Sequence, residues 1–311
     1  MNTAPAGGAA AAGSASIRSV SFNGLPCFEM VLANGARAVV AEQGAQVLSW
    51  QTADGAERLY LSPRAVFDGH SPIRGGVPVC FPQFNTRTLG AHSLPKHGFA
   101  RQQSWSVESV ELTEADAQVH MALHSSPASQ ALWPYGFAAN MCLRLQAHSL
   151  HIGFSVRNTG PQAWSFALAL HTYLRVAHVA QSRLTGLQGL RYWDAVQDPA
   201  QPAARQLEGV QALQCTGETD RVYEAVDAAA QQPLELHDAG QVLRIRQSAN
   251  LPEVVVWNPA AERCASLADM PPDGWQQMLC VEAACINTPV VLQPGAFWAG
   301  WQELCLPQAH A

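Results

Sequence analysis

Apolar and polar residues alternate along most of the chain, and the alternation breaks at glycine-containing turns. In "AQVHMALHSS" Val119, Met121 and Leu123 share one face while His120, Ala122 and His124 take the other. A period of two with one apolar face is the pattern of a half-buried antiparallel strand. "FEMVLANGARAVVAE" holds two such runs about Asn34-Gly35, and "QVLSWQTADGAERLYLS" repeats the device at Asp54-Gly55. Both dipeptides predict hairpins, the first through a type I′ turn. "ANMCLRLQAHSLHIGFSVRNTG" reads as two more alternating strands, closed by Asn158-Thr159-Gly160.

In "AWSFALALHTYLRV" the segment 166–170 is almost wholly apolar, so a strand covered on both faces is expected there. Further strands are expected over 241–247, 253–257, 278–286 and 296–306, and short helical turns over 260–267. The Pro-, Gln- and Ala-rich stretch 195–214 reads as a loop, and long helical periodicity is nearly absent. Many antiparallel strands predict an all-β fold, a large antiparallel β-sandwich of two packed sheets. No repeat of solenoid or propeller period occurs. Residues 1–16 read as a flexible Ala/Gly-rich leader and 17–311 as a single domain, because β-sandwiches of roughly 200–250 residues and more often run as one.

Composition narrows the picture. Hydrophobic residues make up 48% of the chain and charged ones 14%, which suffices for a substantial core. A net charge of -6 offers no basic face to a phosphodiester backbone, so no nucleic-acid partner is expected. No apolar run reaches the ~20 residues of a membrane-spanning helix, and the first sixteen residues lack the regions of a signal peptide. Eight scattered cysteines without a CxxC pair read as reduced, buried thiols. A soluble cytoplasmic monomer is expected.

One stretch departs from this acidic background. "RGGVPVCFPQFNTRTLGAHSLPKHGFAR" carries Arg74, Arg87, Lys96 and Arg101 with His92 and His97 but no Asp or Glu, and Lys96 is the only lysine of the chain. It is either an ordinary solvated loop or a holder of a small anion. Gly75-Gly76 after Arg74 and Gly98 after His97 permit close backbone approach, and Pro78, Pro82 and Pro95 stiffen the segment. Guanidinium forks match phosphate oxygens, while Lys96 would act as a point charge. The settings of Arg74 and Arg101 suggest shaped pockets, whereas Arg87 and His92 read as solvated rim.

Two other residues are suited to acid-base chemistry. His171 in "FALALHTYLRV" is either a hydrogen-bonded core histidine or a proton carrier brought near its operating pH by partial burial. Glu282 in "MLCVEAACINTPVVL" has the most apolar setting of any acid in the chain, so it must be paired, shifted upward in pKa, or both. Asp220 in "GETDRVYEAV" is either a strand-end residue or a functional one, and Asp269 in "ADMPPDGW" reads as turn or capping chemistry. GxGxxG, P-loop, HExxH and GxSxG patterns are absent, and His92 and His97 have no evident further ligand. Neither a metal nor another cofactor is expected.

"PIRGGVPVCFPQF", "LPKHGFAR", "ALHTYLRV", "TDRVY", "WNP", "MLCVEAA" and "LQPGAFWAGWQEL" follow one another in the order and approximate spacing of the glucose-6-phosphate 1-epimerases. The chain resembles these D-hexose-6-phosphate mutarotases from about residue 20 to 306, and they are similar to the wider aldose 1-epimerase and galactose mutarotase superfamily. The resemblance implies a single β-sandwich domain of the supersandwich type with its site in a cleft on one sheet. It implies His171 as general acid, Glu282 as general base, and Arg74, His97, Arg101 and Asp220 as substrate contacts. Lys96 stands where relatives often carry Gln or another short polar residue. "PQFN" over 82–85 departs from the usual aromatic or aliphatic residue followed by Phe-Gly, which sets Gln83 and Asn85 at the pocket's rim. The implied partner is a small-molecule hexose phosphate.

The chemistry suits these residue types. A pyranose opens when one group removes the anomeric hydroxyl proton and another protonates the ring oxygen; rotation about C1–C2 and reclosure give the other anomer. Two groups of different protonation state are needed: Glu282 as carboxylate and His171 as imidazolium, with roles reversed on closure. Phe99 or Trp257 offers a ring for the sugar's apolar face. A mutarotase for unphosphorylated aldoses and a non-catalytic sugar-binding protein on the same scaffold stay open as rivals.

Overall fold

The period of two in the sequence is a period of burial in three dimensions. A computed structural model describes residues 14–86, 94–199, 205–224 and 233–307. The expectations for most of the leader, for Arg87 and His92, and for 200–204 of the long loop lie outside the described residues. In chain order the first strands are β1 (Ser16–Phe22), β2 (Leu25–Val31), β3 (Arg37–Ala41), β4 (Val47–Gln51) and β5 (Val79–Cys80). Four longer ones follow, β6 (Ser106–Leu112), β7 (Asp116–His124), β8 (Phe137–Gln146) and β9 (Ser149–Asn158). Then come β10 (Trp164–Leu170), β11 (Tyr173–Arg175), β12 (Arg183–Thr185), β13 (Arg191–Asp194), β14 (Gln206–Leu207) and β15 (Thr219–Tyr223). The last are β16 (Leu234–Asp238), β17 (Gln241–Gln247), β18 (Glu253–Asn258), β19 (Met278–Leu292) and β20 (Phe297–Cys305). Two short α-helices, α1 (Pro127–Leu132) and α2 (Ala260–Ala265), and two 3-10 turns, Ala100–Gln102 and Gly274–Gln277, are the other described elements, and no described helix is long and apolar enough to cross a membrane.

The strands form three antiparallel sheets. One has the order β1-β2-β3-β4; a second runs β14-β13-β15-β18-β19-β10-β5, with β11 paired to β19; the third runs β12-β16-β17-β20-β9-β8-β7-β6. The two large sheets meet over a common core, to which the second contributes Phe166, Leu168, Val254 and Val281 and the third Ile152, Phe154, Ile245 and Leu304. On β8 every second side chain is buried, as one face packed on a core requires. The fold is therefore the all-β sandwich that the alternation predicts. All eight cysteines are free, and six of them are buried.

Three local expectations change. At Asn34-Gly35 the hairpin forms, but Gly35 alone has positive φ, and its amide donates to the Leu32 carbonyl while the Leu32 amide donates to that of Ala36. A type I′ turn needs two left-handed residues, so this is a longer loop that uses the glycine once. The expected loop 195–214 contains the edge strand β14, held to β13. The long run "FALALHTYLRV" is split between β10 and β11, and His171 occupies the break.

Candidate active site

Strand register assembles the site on the face of the second sheet that points away from the inter-sheet core. Leu170 pairs with Ala283 and Tyr173 with Cys280, which sets His171 opposite Glu282. The row continues from Glu282 to Val255 on β18 and Val222 on β15, while a second row joins Tyr173, Cys280, Trp257 and Asp220. A strand's period of two places Cys280 and Glu282 on the same face, next to an apolar patch that includes Cys80, Ala169, Val255 and Ala284. From behind, buried Gln302 of the other large sheet accepts from Thr172 Oγ1 at 2.5 Å and donates to the Val281 carbonyl at 3.0 Å. It thereby ties together the backbones adjoining His171 and Glu282.

The basic stretch forms one wall because its glycines let it lie flat on the sheet. Gly98 has φ +71°, and a Cβ there would stand 2.1 Å from the Phe81 carbonyl oxygen. Gly98→Ala is therefore expected to cost more than about 1 kcal/mol, read as a lower denaturation midpoint; an unchanged midpoint would refute the close approach. Buried Gln83 donates to the carbonyls of Asn85, Leu94 and Pro95, so it braces the wall, and of the two expected rim residues only Asn85 lines the cavity. His97 is fixed by Asn85 twice, since its amide donates to the Asn85 carbonyl at 2.8 Å and its Nδ1 accepts from the Asn85 amide at 3.1 Å. That acceptor role leaves the proton of the neutral ring on Nε2. Burial, with His171 nearby, pushes the His97 pKa well below its usual value.

Arg74, Lys96, His97, His171, Asp220 and Glu282 line one cavity of about 430 Å³, joined by Trp193, Trp257 and Arg263. Arg101 is not among the lining residues; its guanidinium donates to the Lys96 carbonyl at 2.8 Å and holds the loop from outside. Phe99 does not offer its ring to the cavity either, because it packs in the core against Phe81, Trp133 and Phe137. Trp257 does line it, with its ring 6.0 Å from that of His171.

His171 Nδ1 lies 3.3 Å from Glu282 Oε1, and both side chains are nearly inaccessible. Burial, reinforced by Asp220, raises the Glu282 pKa well above the carboxylate range. Burial also pulls His171 well below its usual value, aided by Arg101 and Arg74. Both shifts favour the uncharged forms, a protonated carboxyl beside a neutral imidazole, whereas the sequence reading has the charged pair. Both forms contain the same number of protons and differ by one transfer across the contact. The Tyr173 ring stacks on His171 at 4.8 Å between centroids and 8° between planes, which fixes the imidazole plane.

The cations are not equivalent. Arg74 donates to Tyr173 Oη at 3.0 Å and to Asp269 Oδ2 at 3.1 Å, so Asp269 neutralises an arginine where turn chemistry was expected. Among the described residues, neither Lys96 nor Arg263 of α2 has a carboxylate within salt-bridge distance. Burial, and next the charge of Arg263, lower the Lys96 pKa. Asp220, although partly accessible, is pushed up to about 6, by burial first and with Glu218 and Asp194 adding to it against Lys96.

Tyr173, Asp269, Arg263 and Gln302 were missed as parts of the site. Two had a signal: Tyr173 is two residues from His171, and Gln302 falls on the apolar side of the alternating "FWAGWQELC". Arg263 and Asp269 had none, since a short helix and a turn carry no period long enough to aim them.

Residues 26–305 match the family model described as Aldose 1-epimerase. A protein of Cenchrus ciliaris named "Putative glucose-6-phosphate 1-epimerase" is 32% identical over 283 residues, covering 88% of this chain and 83% of its own. One of the same name from Escherichia coli K12 is 33% identical over 250 residues, covering 80% and 79%. A crystal structure from Salmonella typhimurium described as a putative mutarotase superposes with TM-score 0.84 at 26% identity, over 94% of each chain. Galactose 1-epimerase of Lactobacillus acidophilus NCFM, 14% identical, shares the fold with TM-score 0.74 over 96% of this chain and 100% of its own. With the match running through every strand that builds the cavity, the chain belongs to the aldose 1-epimerase family, a family of isomerases.

Proposed function

We propose that the protein interconverts the α and β anomers of hexose 6-phosphates, with glucose 6-phosphate as the reference substrate. One observation carries this reading: the His171–Glu282 pair in 3.3 Å contact and two cations without carboxylate partners among the described residues, Lys96 and Arg263, line the same cavity. The names of the Cenchrus ciliaris and Escherichia coli relatives support the phosphosugar. In this reading Glu282 and His171 exchange protons with the anomeric hydroxyl and the ring oxygen. The His97 Nε2 proton and the Asp220 carboxylate hold sugar hydroxyls, and Trp257 packs on the ring. Lys96 and Arg263 take the phosphate, Arg74 completes the charge, and Arg101 acts through the Lys96 carbonyl.

A phosphate would also cancel part of the cationic field that, after burial, depresses His171. Phosphosugar binding would then favour the imidazolium needed to protonate the ring oxygen. Saturation-transfer NMR checks the assignment: the protein is expected to accelerate anomer exchange of glucose 6-phosphate at least tenfold more efficiently than that of glucose. The double variant Lys96→Ala, Arg263→Ala is expected to erase the preference, as about 1.4 kcal/mol of lost charge pairing already removes a factor of ten. Equal efficiency for the two sugars in the wild type would overturn the phosphate reading, and acceleration of neither would overturn the enzymatic one.

A further inference from the structure

Beside the acid-base pair lies a third group that ring opening leaves idle. Cys280 is fully buried two residues before Glu282 on the same face of β19. Its sulfur, an imidazole nitrogen of His171 and a carboxylate oxygen of Glu282 all lie within 4.8 Å of one another. Among the described residues, the buried Glu282 Oε2 has no hydrogen-bond partner, and His171 Nδ1 has only the 3.3 Å approach of Glu282 Oε1. Such atoms lose their hydration without compensation, and a cation bound between them would restore it.

The donor set decides which cation fits. Calcium and magnesium take oxygen ligands, whereas thiolate, imidazole and carboxylate together suit zinc and its spectroscopic substitute cobalt. Two ligands about 2.0–2.1 Å from a tetrahedral zinc stand roughly 3.3 Å apart. His171 Nδ1 and Glu282 Oε1 are already 3.3 Å apart. A sulfur about 2.3 Å from the same zinc stands roughly 3.6 Å from a nitrogen or oxygen ligand, so spacings of up to 4.8 Å have to close by roughly 1 Å on binding. One thiolate and one carboxylate neutralise a divalent ion in a low-dielectric site, and the cavity that His171 and Glu282 line gives it a way in. Repulsion on the way in is reduced because Asp269 pairs with Arg74 and Asp220 stands near Lys96.

We propose that His171, Cys280 and Glu282 form an inhibitory site for a thiophilic divalent cation, with zinc as the type. Binding releases the thiol proton of Cys280 and the carboxyl proton of Glu282 to solvent and breaks no other bond. The ion occupies the very groups that exchange protons with the sugar, so it blocks turnover; this consequence rests on the proposed mutarotase activity, whereas the binding does not.

The test is a cobalt titration of the full metal-free chain, followed by absorption spectroscopy and zinc competition. One equivalent of cobalt is expected to give a thiolate-to-metal charge-transfer band and the d–d bands of a four-coordinate ion, both removed by zinc. Cys280→Ala is expected to lack the charge-transfer band, to keep anomer exchange within about threefold, and to need at least tenfold more zinc for half inhibition. Cys280→Ser, closest in shape, guards against misfolding and is expected to lose the same band. A charge-transfer band that persists in both variants, or unchanged zinc sensitivity in both, would overturn the site. A cobalt band in a wild type without exchange activity would uphold the metal site while sinking the mutarotase reading.

Discussion

Glu282→Gln and His171→Ala are each expected to lower the catalysed anomer exchange of glucose 6-phosphate by about 10²–10⁴-fold, the usual contribution of a positioned general acid or base. Among the cavity's titratable groups these two are in 3.3 Å contact, on facing positions of adjacent strands, with Tyr173 fixing the imidazole plane. Gln keeps the size of Glu282 and removes its ability to take up or release a proton, so its loss measures proton transfer and not packing. Removing both groups is expected to cost hardly more than removing one, because a ring that cannot complete either transfer does not open. Binding of the phosphosugar, measured calorimetrically, is expected to change little, since Lys96 and Arg263 lie elsewhere in the cavity. Exchange rates within threefold of wild type in both variants would remove the pair from the mechanism.

His171 and Glu282 stand out in the sequence for a physical reason. A strand writes its burial into the sequence every second residue, so an acid inside "MLCVEAAC" announces a carboxyl that has lost its water. The partner across the sheet is harder to see, because register depends on pairings between segments more than 100 positions apart, such as Leu170 with Ala283. Charge compensation is harder still. Arg74 reads as an anion ligand until the fold brings Asp269 to it across 195 positions. Lys96, whose role the sequence leaves open, has no such partner among the described residues, and Arg263 joins it from a short helix that no period could aim. Residues whose roles follow from their own strand are therefore legible, and those whose roles follow from a distant neighbour are not. Protonation belongs to the second kind: the chemistry of His171 and Glu282 alone suggests opposite charges, and the depth at which the fold buries them pushes each toward its uncharged form.

The proton that the buried pair keeps makes the stability of the protein depend on pH in a way one substitution can expose. In the unfolded chain the two groups titrate near their ordinary values of 4.5 and 6.5; in the folded chain Glu282 keeps its proton well above the first and His171 stays neutral well below the second. Between those two values each state holds one proton on the pair, on the imidazole when unfolded and on the carboxyl when folded, so the pair contributes no slope. Above pH 6.5 the unfolded chain has released the histidine proton while folded Glu282 retains its own, and stability falls as pH rises, by up to about 1.4 kcal/mol per unit. Below pH 4.5 the unfolded chain takes up a second proton that folded His171 refuses, and stability falls as pH drops. Glu282→Gln deletes the alkaline limb and moves the start of the acid one up to the histidine value of 6.5, so the variant's stability relative to wild type is expected to grow as pH rises above 6.5, for as long as folded Glu282 keeps its proton. Urea unfolding of both proteins across that range measures it, and taking the difference cancels every group distant from the site. A difference that stays constant, or shrinks, as pH rises would mean that Glu282 is ionised in the folded protein and that the neutral pair does not exist.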